Sequence, residues 1–139
     1  MQPLISVIVP ALNEGSVIRR CLASLQQQRL PSDCFEVIVV DNGSTDRTRE
    51  IARSFGGSLA VTVLERSGVR IAALRNLGAA TARGEFLAFL DADCVAPSTG
   101  CNRSRIFCAR TIFELSARNT ASRKTPPGWR RLGMAICGG

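Results

Sequence analysis

Residues 86–93 read Phe86-Leu87-Ala88-Phe89-Leu90-Asp91-Ala92-Asp93, an apolar run that ends in two carboxylates one residue apart. A short apolar run of this kind predicts a buried strand over Phe86–Leu90. Hard divalent cations prefer carboxylate oxygens as ligands, and two like charges this close resist ionisation unless a cation is present. The pair Asp91 and Asp93 therefore predicts a cation site at the carboxyl end of a strand, where open parallel sheets bind ligands.

The chain before this run predicts strands and helices in strict alternation. Short β-branched runs predict strands, and apolar residues at helical spacing predict helices. The predicted strands are Leu4–Val9, Phe35–Val40, a more exposed Leu59–Leu64, and Phe86–Leu90. The predicted helices are Ser16–Gln28, one from a cap at Ser44, Thr45 or Asp46 to about Ser54, and Val69–Arg83. The last helix should end at Gly84 and bury one face, marked by Ile71, Leu74, Gly78 and Ala82. The βαβαβαβ order predicts an α/β fold with a mostly parallel sheet and right-handed crossovers.

Charge divides the chain into two parts. Its 139 residues carry a net charge of +7, yet residues 1–96 hold 10 Arg and 10 acids. Residues 97–139 hold 8 basic residues and the single acid Glu114. We expect one domain over residues 1–96 and a poorly ordered basic tail over 97–139, with a short helix over Arg105–Arg118. Such a tail suits peripheral contact with an anionic membrane surface or a polyanionic glycan, while its few aromatic residues argue against nucleic-acid binding.

Composition also predicts where the protein acts. No run of 18 apolar residues is present, so no membrane span is predicted. No basic segment precedes the first apolar run, so we expect no signal peptide and a cytoplasmic protein, at the inner face of the membrane if the tail docks there. The chain has 6 Cys in no zinc-binding spacing and no His, which argues against a zinc site and a disulfide framework.

Polar clusters follow three of the predicted strands and should meet at one edge of the sheet. Each cluster alone is also typical of turns and helix caps. Together they predict a site for a nucleotide whose diphosphate is bridged by a cation. The sequence has neither a G-x-G-x-x-G nor a G-x-x-x-x-G-K-[ST] motif, which argues against a dinucleotide fold and a Walker-type site. The clusters are Asn13 with Glu14, Asp41 with Asp46, and Asp91 with Asp93.

Five segments, in this order, resemble glycosyltransferase family 2 of the GT-A fold, a Rossmann-like fold of nucleotide-diphospho-sugar transferases. The resemblance covers about residues 4–95 and ends near Ala96, after which the chain is expected to be truncated or divergent. A frameshift is one explanation for that change. The segments are Ser6-Val7-Ile8-Val9-Pro10-Ala11-Leu12-Asn13-Glu14, Glu36-Val37-Ile38-Val39-Val40-Asp41-Asn42-Gly43-Ser44-Thr45-Asp46, Arg75-Asn76-Leu77-Gly78, Ala82-Arg83-Gly84-Glu85 and Leu90-Asp91-Ala92-Asp93.

The resemblance implies metal-dependent transfer of a sugar from a nucleotide-diphospho-sugar to a hydroxyl of an unknown glycan, lipid or other acceptor, with inversion. It implies that Asp93 ligates Mg²⁺ or Mn²⁺ and that Asp91 contacts the ribose or a metal-bound water. It places Arg75 near the base or diphosphate and Asp41 against the base. It implies a nucleotide pocket lined by Pro10, Ala11, Asn13 and Glu14.

The general base that such transfer requires is not identified, since Glu114 is the only acid after Asp93. One alternative is therefore a non-catalytic remnant that binds the nucleotide-sugar without transferring it. The other is a phosphatase of the haloacid dehalogenase type, because residues 91–95 fit D-x-D-x-[TV], with Asp91 as nucleophile and Asp93 as acid/base. That motif usually lies on the first strand of its fold, which argues against the phosphatase.

Overall fold

The computed structural model describes residues 2–98, which form one parallel sheet with three helices. The predicted α/β fold class and its element order are confirmed. Except for residues 97 and 98, the predicted tail lies outside the described residues, together with its helix over 105–118 and Glu114. The elements are β1 (Ile5–Ala11), α1 (Ile18–Gln26), β2 (Phe35–Asp41), α2 (Thr48–Ser54), β3 (Ala60–Glu65), α3 (Ile71–Thr81) and β4 (Phe86–Phe89).

The strand order is β3-β2-β1-β4, so the chain first builds outward from β1 to β3 and then returns to the other side of β1. All pairings are parallel. Helices α1 and α2 pack together with one face of the sheet, and α3 packs on the other face. The direction of building reverses between β1 and β4, which makes their carboxyl ends the topological switch point where such sheets bind ligands.

The two central strands are buried on both faces. In β1, Val7 and Val9 join the core under α1 and α2, whereas Ile8 points the other way and packs against α3. Every residue of β1 and β2 is buried. The edge strand β3 is largely exposed, as its weaker pattern predicts. Within the described residues, no helix is long and apolar enough to cross a membrane.

Strand β1 extends two residues beyond its predicted end and includes Pro10, which was predicted to begin a loop. Pro10 pairs with Val40 of β2. Along β1, alternate residues direct their peptide groups to alternate neighbours, and Ile8 accepts a hydrogen bond from Leu90 on the β4 side. Pro10 faces that same side, where β4 has already ended, so its missing N–H breaks no ladder bond.

The helices are shorter than predicted because extended or turn residues flank them. Residues 15–17 form a turn in which Val17 donates to Glu14 O, so α1 begins at Ile18 rather than Ser16. Arg70 and Ala82 are extended, with ψ of 154° and 139°, and they bound α3.

Gly84 was predicted to end α3, but the helix already ends at Thr81. Gly84 instead allows the chain to lie against β1. A Cβ at Gly84 would lie 2.5 Å from the nitrogen of Ser6. The Gly84 N–H donates to Ser6 Oγ at 2.8 Å, and Ser6 Oγ donates to buried Glu36 Oε1 at 2.7 Å. Arg83 donates its backbone N–H to Oε1 and its guanidinium to Oε2 of Glu36. This Ser6–Glu36–Arg83 network fixes the loop that leads into β4.

We predict that Gly84→Ala destabilises the fold by about 1–3 kcal/mol, the usual result of forcing a methyl group into a packed site. Two of the three nearest atoms, the Ser6 nitrogen and the Ile5 carbonyl carbon, belong to the backbone and cannot move aside alone. Urea unfolding measures the effect. Gly57→Ala is the matched control, because a Cβ there meets nothing within 4 Å. Equal stabilities for the two variants would contradict the close approach.

We predict that Glu36 makes the fold sensitive to acid. Burial raises the pKa of its carboxyl, but the hydrogen bonds from Ser6 and Arg83 and the Arg83 charge outweigh burial, so the pKa lies below its usual value of 4.5. A folded pKa below the unfolded one gives stability that is present at neutral pH and lost as pH falls through the folded pKa.

The free-energy difference between the wild type and Glu36→Gln should therefore be large at neutral pH and shrink as the pH falls through the lowered pKa of Glu36. Urea unfolding at several pH values measures it, with Glu85→Gln, an exposed neighbour, as control. A difference that does not change with pH would refute this role of Glu36.

Candidate functional site

The loops after β1 and β2 are clamped together by side chains. Asn13 has a positive φ of 54°, and its Oδ1 accepts the N–H of Thr45 at 2.9 Å. The Asn13 N–H in turn donates to Ser44 Oγ at 2.9 Å. Asn tolerates this left-handed conformation better than most residues. Asn13, predicted to line a nucleotide pocket, thus holds the shape of the loop that forms the pocket wall.

Asp46 lies one residue before the N-cap of α2, Arg47, and ties the same two loops together. Its Oδ1 accepts the N–H of Thr48 at 3.0 Å, and its Oδ2 accepts the N–H of Gly15 at 2.8 Å. The Thr48 hydroxyl also receives the N–H of Glu14 at 2.9 Å. Hydrogen bonds from Thr48, and then from Gly15, hold the pKa of Asp46 below its usual value. The prediction of a cap at Ser44, Thr45 or Asp46 is wrong by at least one residue, because Arg47 is the N-cap and its side chain makes no capping hydrogen bond.

Asp41 is completely buried at the end of β2. Its Oδ2 accepts the N–H groups of Gly43 at 3.0 Å and Ser44 at 2.9 Å, and the Ser44 hydroxyl donates to Oδ1. The guanidinium of Arg49 lies 3.7 Å from Oδ2. Asp41 therefore shapes the turn after β2, and its contact with a base stays a prediction. Its neighbour Asn42 bonds the backbone of Val69 through both ends of its side-chain amide, at 2.9 Å and 3.2 Å.

An open cleft of about 340 Å³, which we call the switch-point cleft, lies between the ends of β1 and β4. Apolar Leu12 and Ile71 form part of its wall, with 49% and 52% of their surface exposed. The carboxyl edge thus brings together four of the predicted residues, Pro10, Ala11, Glu14 and Asp91, with the predicted metal ligand Asp93. The full lining is Pro10, Ala11, Leu12, Glu14, Asn42, Ile71, Leu74, Asp91, Ala92 and Asp93.

Among the carboxylates that line the cleft, those of Asp91 and Asp93 differ in their surroundings. Arg75 donates to Asp91 Oδ1 at 2.8 Å, so this acid is partly neutralised by a cation from α3. Asp93 is exposed and, within residues 2–98, forms no ion pair; its recorded partner is the Cys94 thiol, at 3.5 Å. The Nε of Arg75 is buried without a hydrogen-bond partner in the same residues. Of these two carboxylates, that of Asp91 is therefore paired with a cation, and that of Asp93 forms no ion pair within the described residues.

These carboxylates suit a hard divalent cation, but they do not enclose one. Across residues 2–98, no three His, Cys, Asp or Glu side chains gather as a metal site. The oxygens of Asp93 and Asp91 are hard ligands of the type that Mg²⁺ and Mn²⁺ accept. Because Mg²⁺ is usually held by one or two carboxylates plus water and phosphate oxygens, the open site fits a cation that arrives with a phosphorylated ligand.

Sequence reasoning missed five residues of the cleft, namely Leu12, Asn42, Ile71, Leu74 and Ala92. Leu12 and Asn42 directly follow the ends of β1 and β2, which is the signal that could have found them. Ile71 was predicted on the buried face of α3, but it begins that helix at the sheet edge and is half exposed. Leu74, predicted to be buried, is buried and also borders the cleft.

Known proteins share both the sequence pattern and the fold. A family model described as glycosyl transferase family 2 matches residues 6–101. The glycosyltransferase AglE of Haloferax volcanii is 43% identical over 95 residues, which are 66% of this chain and 31% of AglE. This chain spans less than a third of the length of AglE and of the two proteins of known structure described next.

Two solved structures resemble the fold with TM-scores of 0.66. One is TarS 1–349 of Staphylococcus aureus in complex with UDP-GlcNAc, at 35% identity, covering 70% of this chain and 28% of TarS. The other is the mannosyltransferase PcManGT of Pyrobaculum calidifontis in complex with GDP-Man and Mn²⁺, at 34% identity, covering 72% of this chain and 30% of that protein.

We predict that Asp41 and Asp93 differ sharply in their effect on stability. Asp41→Asn should destabilise the fold by about 1–3 kcal/mol, because buried N–H donors lose a carboxylate acceptor. Asp93→Asn should stay within about 0.5 kcal/mol of the wild type, as expected at an exposed position. Urea unfolding of both variants tests this contrast. A large loss in Asp93→Asn would show that its carboxylate stabilises the fold instead of serving a ligand.

Proposed function

The chain belongs to glycosyl transferase family 2, and we propose from this premise that residues 1–96 form a domain that binds a nucleotide-diphospho-sugar in the switch-point cleft. The observation that carries the proposal is the exposed carboxylate of Asp93, which forms no ion pair within residues 2–98 and lies beside Asp91 at the strand-order reversal. The cleft volume lies within the usual range for small-ligand sites, about 300–1,000 Å³. Two similar structures hold a nucleotide-sugar, which supports the same ligand class here.

We assign Asp93 and Asp91 to Mg²⁺ or Mn²⁺. A bound divalent cation supplies positive charge that stabilises a diphosphate leaving group. Arg75 keeps Asp91 in place and brings a positive charge to the same end of the cleft, where it favours an anionic ligand. The structure with GDP-Man and Mn²⁺ supports Mn²⁺ as the first ion to test.

The remaining residues are assigned by their position around the cleft. Pro10, Ala11 and Glu14 line it, while Asn42 faces it from the β2 side. Asn13 and Asp41 hold the two loops in shape through hydrogen bonds, so we expect them to act on nucleotide binding through loop geometry. The apolar surfaces of Leu12 and Ile71 suit the flat face of a base or ribose.

For the complete protein we propose transfer of the sugar to a hydroxyl of a glycan, lipid or other acceptor. The basic residues over 97–139 would assist if the acceptor is anionic or lies at a membrane surface. The second candidate is nucleotide-sugar binding without transfer. It is favoured by the presence of only one acid, Glu114, after Asp93 in this sequence.

We predict metal-dependent stabilisation by one nucleotide of a panel consisting of UDP, GDP, UDP-GlcNAc and GDP-mannose. Ligand at about 100 times its Kd stabilises the folded state by about 2.7 kcal/mol. Thermal unfolding of the 139-residue chain with and without Mn²⁺ measures the effect. No shift with any nucleotide, in a chain that unfolds cooperatively, would contradict the proposal.

Substitution separates the roles within this assay. Asp93→Asn should remove most of the Mn²⁺-dependent shift and leave the ligand-free Tm unchanged, while Glu85→Gln, on the opposite edge of the sheet, should change neither. Release of free sugar from the bound donor, lost in Asp93→Asn, would favour the transferase. Metal-dependent binding with no turnover of any donor would favour the binding protein.

A further inference from the structure

The buried face of α1, continued to Gln28, carries polar side chains at positions where apolar side chains are usual. Cys21, Ser24 and Gln28 are spaced three and four residues apart and face the segment that follows β4. Ser24 is 6% exposed and Gln28 8% exposed. Buried polar groups cost free energy unless they are hydrogen-bonded, so the partners of this stripe matter.

The partners lie on both sides of Asp93. The Ala96 N–H donates to Ser24 Oγ at 2.9 Å, and Ser24 Oγ donates back to Cys21 O at 2.6 Å. The Gln28 amide donates to Ser24 O at 2.9 Å and to Pro97 O at 3.0 Å. Together these bonds fix residues 96 and 97 against the helix.

The other end of the segment is held at Asp91. Cys21 Sγ donates to Asp91 O at 3.7 Å. Burial, with added repulsion from Cys94, Asp93 and Asp91, raises the pKa of Cys21 to about 12, so the thiol keeps the proton that it donates. The N–H of Cys94 closes a turn on Asp91 O at 3.0 Å, and Ala92 is buried in the core.

The sheet itself does not hold this turn. Strand β4 ends at Phe89. Its hydrogen bonding to β1 ends one residue later, where the Leu90 N–H donates to Ile8 O at 3.0 Å. Asp93 therefore lies on a turn between two attachments to α1, one at residue 91 and one at residues 96 and 97. Its carboxylate is exposed towards the cleft.

We infer that Ser24 and Gln28 are positioning residues that set the place of the Asp93 carboxylate, and with it the affinity for a cation bound together with a nucleoside diphosphate. This inference rests on the proposed function of the cleft. Residues that orient metal ligands typically change metal affinity by 10–100-fold when they are substituted. Neither residue lines the cleft, so neither contacts the ligand directly.

Two substitutions remove the bonds with little change of shape. Ser24→Ala deletes the acceptor of Ala96 N–H, and Gln28→Met deletes the donor to Pro97 O. Ser54→Ala is the matched control, because Ser54 makes the same hydroxyl bond to a carbonyl three residues back, in α2. Gln27→Met is the control for Gln28, since Gln27 is its exposed neighbour.

Amide exchange of the ligand-free chain tests the attachment itself. Ser24→Ala should speed exchange of the Ala96 N–H by about tenfold, the effect of losing about 1.4 kcal/mol, and Ser54→Ala should not. Unchanged exchange in folded Ser24→Ala overturns the inference without touching the proposed function. If the double variant fails to fold, the same measurements are made on Ser24→Ala and on Gln28→Met separately.

Titration with UDP and Mn²⁺ tests the effect on the site. The Mn²⁺-dependent affinity for UDP should fall at least tenfold in Ser24→Ala with Gln28→Met, while the metal-free affinity changes less than twofold. Faster exchange with unchanged Mn²⁺-dependent affinity overturns the positioning role. If the wild type binds neither UDP nor any other nucleotide of the panel with Mn²⁺, the proposed function fails and the positioning role fails with it.

Discussion

The unequal pairing of β1 opens the site. Strand β2 pairs with β1 along seven residues, from Ile5 to Ala11, whereas β4 pairs with it along only four, from Ile5 to Ile8. Beyond Ile8, β1 and the segment after β4 separate. Pro10 has no N–H with which β1 could continue its hydrogen bonds on the β4 side. The wedge left between them is the switch-point cleft, with Pro10 and Ala11 on one wall and residues 91–93 on the other.

Polar residues at this edge divide into those that hold the loops in shape and those whose carboxylates line the cleft. In the first group the side-chain oxygens accept hydrogen bonds from backbone N–H groups of the loops, as in Asn13, Asp41 and Asp46. Asp93 keeps its carboxylate exposed, and Asp91 is balanced by Arg75. A site supported in this way is preorganised, because its loops are fixed before a ligand arrives. The bonds from Ser24 and Gln28 extend the same support to the turn that carries Asp93.

Sequence periodicity was sufficient for the order of elements, the exposed third strand and the edge at which the polar clusters meet. It placed the ends of elements less well, since Pro10 stays in β1 only because β4 is short, a fact of tertiary pairing. It also did not indicate that Asp41 would be fully buried and bonded to the backbone of the turn after β2. Asp41 has the same strand parity as Val37 and Val39, which turns its side chain into the structure. Gly84 was predicted as a helix end, because contact with Ser6, distant in sequence, leaves no local signal.

The central claim is that a divalent cation binds at Asp93 together with a nucleoside diphosphate. Paramagnetic broadening of amide signals by Mn²⁺, recorded on the ¹⁵N-labelled chain with and without UDP or whichever nucleotide of the panel binds, tests it most directly. We predict that the strongest broadening falls on residues 91–94, extends to residues 10–14 and requires the nucleotide. Broadening centred on other exposed acids such as Glu50 and Glu65, or broadening that the nucleotide does not change, would contradict the account.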